Sequence, residues 1–87
     1  MIGRLVRVTW HDAHGIEGWV SIHDIEREPR VIVSVGWAVP DIKPGHLVLV
    51  ASVDDDMVDG GLAIPHGMVR EIVELLDGSR IPIEQVR

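Results

Sequence analysis

A short break between two apolar runs near residue 65 restricts the possible folds of this chain most. The segment 63–76 begins with an apolar run, passes through Pro65 and Gly67, and continues with β-branched residues. Proline and glycine so close together favour a tight turn, while the residues around them favour extended backbone. This order predicts two strands joined by one turn, so the sheet must bend sharply there. A short helix over 68–76 is the alternative, because three apolar residues in it also have helical spacing.

Alternating apolar residues predict the two longest strands. In the segment 4–10 the side chains of Val6, Val8 and Trp10 share one face. In the segment 30–39 one face carries Val31, Val33, Val35 and Trp37, and the other carries Ile32, Ser34, Gly36 and Ala38. A glycine inside a strand, such as Gly36, usually marks a bulge or the close approach of another group.

Shorter segments complete the expected fold. Apolar runs predict strands at 46–53 and 62–64, and Asp77-Gly78 predicts a hairpin into a final edge strand that contains Pro82. Residues 11–18 are expected to form a loop, and Trp19 and Val20 a brief strand. The sequence Ser21–Asp24 is typical of a helix start, which predicts one or two turns over 22–27 before Pro29.

These elements predict a mainly β protein with a single domain over residues 1–87. The expected architecture is a small SH3-like antiparallel barrel of five to six strands with one short helical insertion. Phe and Tyr are absent, so the core must consist of branched aliphatic side chains and tryptophan. A domain of this size buries a modest fraction of its surface, which favours a homo-oligomer.

Charge and composition exclude several classes of function. With no cysteine, the chain forms no disulfide and no thiolate metal site. A formal net charge of −6 disfavours nucleic-acid binding, because the phosphate backbone is also negative. The chain has no apolar run of membrane-spanning length and no signal sequence, so we expect a soluble, intracellular protein without membrane contact.

Histidine and aspartate side chains are the candidate metal ligands. His11 and His14 flank Asp12 on the expected loop, and imidazole and carboxylate both bind zinc. A solvated loop without metal is the favoured interpretation, so no cofactor is predicted. The acidic run 54–59 lacks the spacing of a calcium loop and is better explained as a charged hairpin tip.

Tryptophan, histidine and arginine side chains near loops are the candidate ligand-binding groups. Indole faces stack on bases or other rings, and basic groups bind phosphate. Two or three tryptophans together with Arg7, His46 or Arg70 could form a pocket of nucleotide size. For Trp10 and Trp37, however, the favoured interpretation is that they fill the core, because their neighbours at alternate positions are apolar, and this leaves Trp19 exposed. The candidate ligand-binding residues are Trp10, His11, Asp12, His14, Trp19, Trp37 and Arg70.

Four short motifs resemble a widespread family of small tailed-bacteriophage proteins. The motifs are Val8-Thr9-Trp10-His11-Asp12-Ala13-His14, Gly18-Trp19, Val33-Ser34-Val35-Gly36-Trp37 and the segment from Ile64-Pro65 to Ile72. The resemblance lies in the order of the motifs, with Trp-x-Asp near the start, Ser-Val-Gly in the middle and Ile-Pro-x-Gly near the end. The resemblance implies an SH3-like or Sm-like barrel that acts in the infected cell. It transfers no catalytic residue.

The sequence and the resemblance together favour a non-enzymatic binding protein in the host cytoplasm. We expect it to capture a nucleotide-like host defence signal at a subunit interface. A protein–protein inhibitor that uses an acidic surface or a strand edge is the alternative, and a virion or assembly component is a further one. The enzymatic alternative, a hydrolase that uses His11 and Asp12, is disfavoured because neighbours in an extended chain point to opposite faces.

Overall fold

The computed structural model describes residues 3–75 and 82–85, and these residues form a mainly β fold. The strands are β1 (Leu5–Asp12), β2 (Arg30–Val39), β3 (His46–Val50), β4 (Ser52–Asp54), β5 (Met57–Asp59), β6 (Leu62–Pro65) and β7 (Val69–Glu74). Single 3₁₀ turns lie at Ile22–Asp24, His66–Met68 and Ile83–Gln85. In the described part of the chain, no helix is long and apolar enough to cross a membrane.

The main sheet is antiparallel and has the order β6-β3-β2-β1-β7, while β4 and β5 form a separate hairpin. Strands β6 and β7 therefore lie at opposite edges of the main sheet, although only residues 66–68 separate them in sequence. The sheet must curl to bring these two edges together at the turn. This confirms the predicted bend after Pro65, and the alternative helix over 68–76 is wrong for its described residues.

The core lies on one face of the curled sheet. Its buried residues are Val6, Val8, Trp10, Leu49 and Ile64. This confirms the apolar face predicted for β1. The close approach predicted at Gly36 is also confirmed, because a Cβ atom there would lie 3.0 Å from the Val50 carbonyl oxygen and 3.2 Å from the Leu49 Cβ. Strand β3 can pack so tightly against β2 only because residue 36 has no side chain.

The opposite side of β2 is exposed, and we call its four apolar residues the outer face. Val31, Val33 and Val35 are 55%, 59% and 58% exposed, and Trp37 is 40% exposed. The prediction that Trp37 belongs to the core is therefore wrong. The pairing register is the reason, because it turns Ile32, Ser34, Gly36 and Ala38 toward the core and the valine side outward.

The connection between β1 and β2 differs from its prediction. Strand β1 continues to Asp12, so the predicted loop begins two residues later, and Trp19 and Val20 form no strand. Ser21 does cap a turn, since its Oγ accepts a hydrogen bond from the His23 N–H at 3.2 Å. That turn ends at Asp24 because Ile25 is already extended. We call residues 13–29 the β1–β2 arm.

The second half of the chain contains two further corrections. The strand predicted over 46–53 is interrupted at Ala51. The acidic run 54–59, predicted as a charged hairpin tip, belongs to the hairpin β4–β5, with Asp55 in the left-handed region at φ 53°. Asp77-Gly78 lies outside the described residues. The predicted final strand is wrong at its end, where the Gln85 N–H donates to the Pro82 carbonyl oxygen at 2.9 Å within a 3₁₀ turn.

Candidate ligand-binding site

The tryptophan pocket expected from the sequence does not form within one chain. Trp10 is buried, and its Nε1–H donates to the Ser34 Oγ at 3.0 Å, so it is a core residue. Trp37 pairs with Leu5 near one end of β1, whereas His11 pairs with Val31 near the other end. A strand that advances from residue 5 to residue 11 covers about 20 Å. Trp19 is fully exposed in the β1–β2 arm, as predicted.

His11 and Arg70 are two candidate residues that the fold does bring together. The register pairs Thr9 with Glu71 and Trp10 with Val69, so Arg70 is an extra residue in β7 at a β-bulge. Its Nε–H donates to the His11 Nδ1 at 3.1 Å, and its NH1 group donates to the Gly67 carbonyl oxygen at 2.9 Å. The guanidinium group therefore ties the end of β1 to the 3₁₀ turn, which is a structural role.

The other histidine and aspartate candidates do not converge on a metal ion. His14 Nε2 lies 3.9 Å from a carboxylate oxygen of Glu26, and Asp12 is the last residue of β1. His11 already uses its Nδ1 to accept a hydrogen bond from Arg70. Within residues 3–75 and 82–85, no three histidine or acidic side chains are close enough to hold a metal ion.

A different site lies near the β2–β3 turn, beyond the packed cluster. An open groove of about 430 Å³ follows the β2–β3 turn, and a second groove of about 500 Å³ lies beside the first residues of β1. Both grooves are lined by Ala38, Pro40 and Leu47. The two grooves therefore adjoin, and we call the pair the trough. Each groove falls within the range of roughly 300–1,000 Å³ that small-molecule sites occupy.

Basic and imidazole groups lie at the β2–β3 end of the trough, where Lys43, His46 and His66 line it together with Asp41. His46 Nδ1 lies 2.8 Å from the Pro44 carbonyl oxygen. Because a carbonyl oxygen only accepts, this Nδ1 carries a proton and the Nε2 atom is left for a ligand. The His66 backbone N–H donates to the Gly45 carbonyl oxygen at 2.9 Å, which fixes β6 against the turn.

The opposite end of the trough is closed by an exposed ion pair. The Arg4 guanidinium lies 3.3 Å from the Glu74 carboxylate, and both residues line the second groove together with Val6 and Ile72. Apolar side chains therefore line the part shared by the two grooves, and each end carries one cation and one carboxylate.

The sequence analysis missed most of this site. The sequence indicates His46 as a pocket candidate, but it does not indicate Lys43 or His66. No local pattern indicates that His66 lies beside Gly45, because the contact depends on the pairing of β3 with β6. The two histidines are far apart in sequence and become neighbours only through the sheet register.

Comparisons of the chain with protein-family models, with curated proteins and with solved structures find no match.

Proposed function

We propose that this chain is a non-enzymatic binding protein that captures a small anionic ligand of nucleotide type in the trough. The observation that carries the proposal is that the two grooves adjoin at Ala38, Pro40 and Leu47. Two adjoining grooves allow a ring and an anionic group of one ligand to bind side by side.

The chemistry of the two parts of the trough supports this ligand class. The side chains of Val6, Leu47 and Ile72 offer apolar contact for a base or another ring. Lys43 carries a positive charge, and the imidazoles of His46 and His66 supply N–H groups or lone pairs for a phosphate and its hydroxyl neighbours. Charge-assisted hydrogen bonds to phosphate are stronger than neutral ones, so Lys43 should contribute most to affinity.

The proposed architecture and cellular context follow from separate arguments. The strand order and the single turn between β6 and β7 support an SH3-like barrel, in which the curled sheet surrounds the core. The resemblance of four motifs to small tailed-bacteriophage proteins is the basis for proposing a role in the cytoplasm of an infected host. In that setting the captured ligand would be a nucleotide-like defence signal of the host.

Calorimetric titration with linear and cyclic nucleotides tests the proposal. We expect at least one of them to bind and to raise the melting temperature, because a ligand that binds only the folded state stabilises it. Lys43→Ala should weaken that binding by about tenfold or more, which corresponds to the loss of one charged phosphate contact. Arg27→Ala, an exposed change in the β1–β2 arm, is the matched control and should bind normally.

Two results would contradict the proposal. One is the absence of heat and of a melting shift with every nucleotide tested. The other is binding that Lys43→Ala and His66→Ala leave unchanged, since the ligand would then occupy another surface.

The β4–β5 hairpin favours a second candidate function, the inhibition of a basic host protein. Its strands form a sheet of their own, and all of their residues are exposed. Four aspartates lie on or between these strands, at positions 54, 55, 56 and 59. A projecting acidic hairpin can imitate nucleic acid toward a basic surface. Changing Asp54, Asp55 and Asp56 to Asn should abolish capture of such a target but leave nucleotide binding in the trough intact.

A further inference from the structure

Two apolar surfaces are left exposed by the part of the chain that the structure describes. The first is the outer face of β2, where every second residue from Val31 to Trp37 is exposed. The second is the β1–β2 arm, whose five large apolar side chains are all exposed. These side chains are Ile16, Trp19, Val20, Ile22 and Ile25.

The total surface area shows how much is left uncovered. The chain exposes 7345 Å², whereas a compact monomer of its mass of 9.6 kDa exposes about 5,100 Å². The excess of about 2,200 Å² is larger than the roughly 800 Å² that each partner buries in a standard interface. The Cα radius of gyration is 17.0 Å, against about 12 Å for a compact domain of this length. These values are typical of a subunit separated from its partner.

We propose that the occupant of the outer face is a second copy of this chain. The β1–β2 arm of each copy lies across the outer face of the other, so that two identical contacts form around a twofold axis. The arm leaves the sheet after Asp12 and returns at Arg30, one residue before Val31, so it starts at the edge of the surface that it covers. Because the exchange of identical segments is reciprocal, it covers both apolar surfaces of each copy at once.

The charges of the two surfaces agree with this contact. The arm carries the carboxylates of Glu17, Asp24, Glu26 and Glu28 against a single arginine, Arg27. The register places Arg7 on the same side of the sheet as Val35, and Arg70 bonds to His11 on that side too, where Glu71 is the opposing carboxylate. An acidic arm therefore meets a surface on which basic groups outnumber acidic ones.

Sedimentation at micromolar concentration tests the exchange, with three variants. The unmodified chain should have twice the mass of one chain. Val33→Glu on the outer face and Ile22→Glu on the arm should each sediment as single chains, because each places a charge in the contact. Ile42→Glu, an equally exposed position outside both surfaces, is the matched control and should remain paired. Circular dichroism of each variant should show an unchanged β spectrum, since residues 22 and 33 are exposed in the single chain.

Several outcomes would overturn the proposal. A single-chain mass for the unmodified protein would do so, as would pairing that survives Val33→Glu or Ile22→Glu. A mass above that of two chains would mean that arms pass to a third copy, which contradicts reciprocal exchange. None of these results depends on nucleotide binding, because no residue of the outer face or of the arm lines the trough.

Discussion

The two sides of strand β2 differ in burial, and the side with the smaller side chains is the buried one. The core side carries one large residue, Ile32, followed by Ser34, Gly36 and Ala38, and it packs against the cluster around Val8 and Ile64. The outer face has larger and more hydrophobic side chains but remains exposed. Packing inside one chain therefore depends on which side of the strand its neighbours approach, and the side with the larger side chains stays exposed.

A core truncation should produce the largest effect and give the reference for this comparison. Ile64 is fully buried, so Ile64→Ala removes packed methyl groups and leaves a cavity. We expect the free energy of unfolding to fall by about 2–5 kcal/mol in chemical denaturation. The loss should be the same at every protein concentration. Val35→Ala on the outer face should instead lower stability only at concentrations at which copies associate. An equal loss of stability at all concentrations would contradict the difference between the two sides.

Adding one methyl group to the core side of β2 should be the next most damaging change. In Gly36→Ala the new Cβ meets the Val50 carbonyl oxygen and the Leu49 Cβ at short distance. Overpacking of this kind costs about 1–3 kcal/mol, which thermal or chemical unfolding can measure. Gly15→Ala is the control, since a Cβ there has no neighbour within 4 Å and should cause no loss. Equal stabilities of the two variants would show that β3 does not pack closely on β2.

Loss of the hydrogen bond between Ser34 and Trp10 should have a smaller effect. Ser34→Ala leaves the indole N–H of a buried tryptophan without its acceptor. An unsatisfied polar group costs about 1–3 kcal/mol, and we expect the lower end because the bond is only partly buried. Unfolding followed by tryptophan fluorescence measures the loss. Ser52→Ala in the exposed strand β4 should be neutral, and a neutral Ser34→Ala would mean that water replaces the serine.

The exposed ion pair at the end of the trough should contribute least. Glu74→Gln removes the partner of Arg4, whose side chain is 75% exposed. Exposed pairs contribute about 0–1 kcal/mol and weaken as salt is added. Denaturation at low and high salt should therefore show a small difference that disappears at high salt. A large loss that is independent of salt would mean that Glu74 has a packing role instead.

The elements that the sequence predicts well are those with a strong local signal. Alternation identifies β1 and β2, and the proline and glycine around His66 identify the bend. The side of β2 that is buried has no local signal, because both sides are apolar enough to pack. The pairing register of β2 with β1 and β3 decides which side is buried, and this is why the prediction that Trp37 belongs to the core is wrong.

The trough could not be predicted for the same reason. Lys43 and His46 belong to one turn, whereas His66 belongs to another, and only the antiparallel pairing of β3 with β6 joins them. The candidate cluster at His11 to His14 had a clear sequence pattern, yet the strand geometry separates its members. Proximity in sequence was a poor guide to the site because strands send neighbouring side chains to opposite faces.

Thiol labelling at two positions tests most directly whether one side of the sheet is core and the other a contact between copies. The chain has no cysteine of its own, so Val8→Cys and Val33→Cys each introduce a single reporter. We expect residue 8 to be protected at every dilution, and residue 33 to be protected at high concentration and reactive after dilution. Protection of residue 33 at every dilution, or its reactivity at every concentration, would contradict the account.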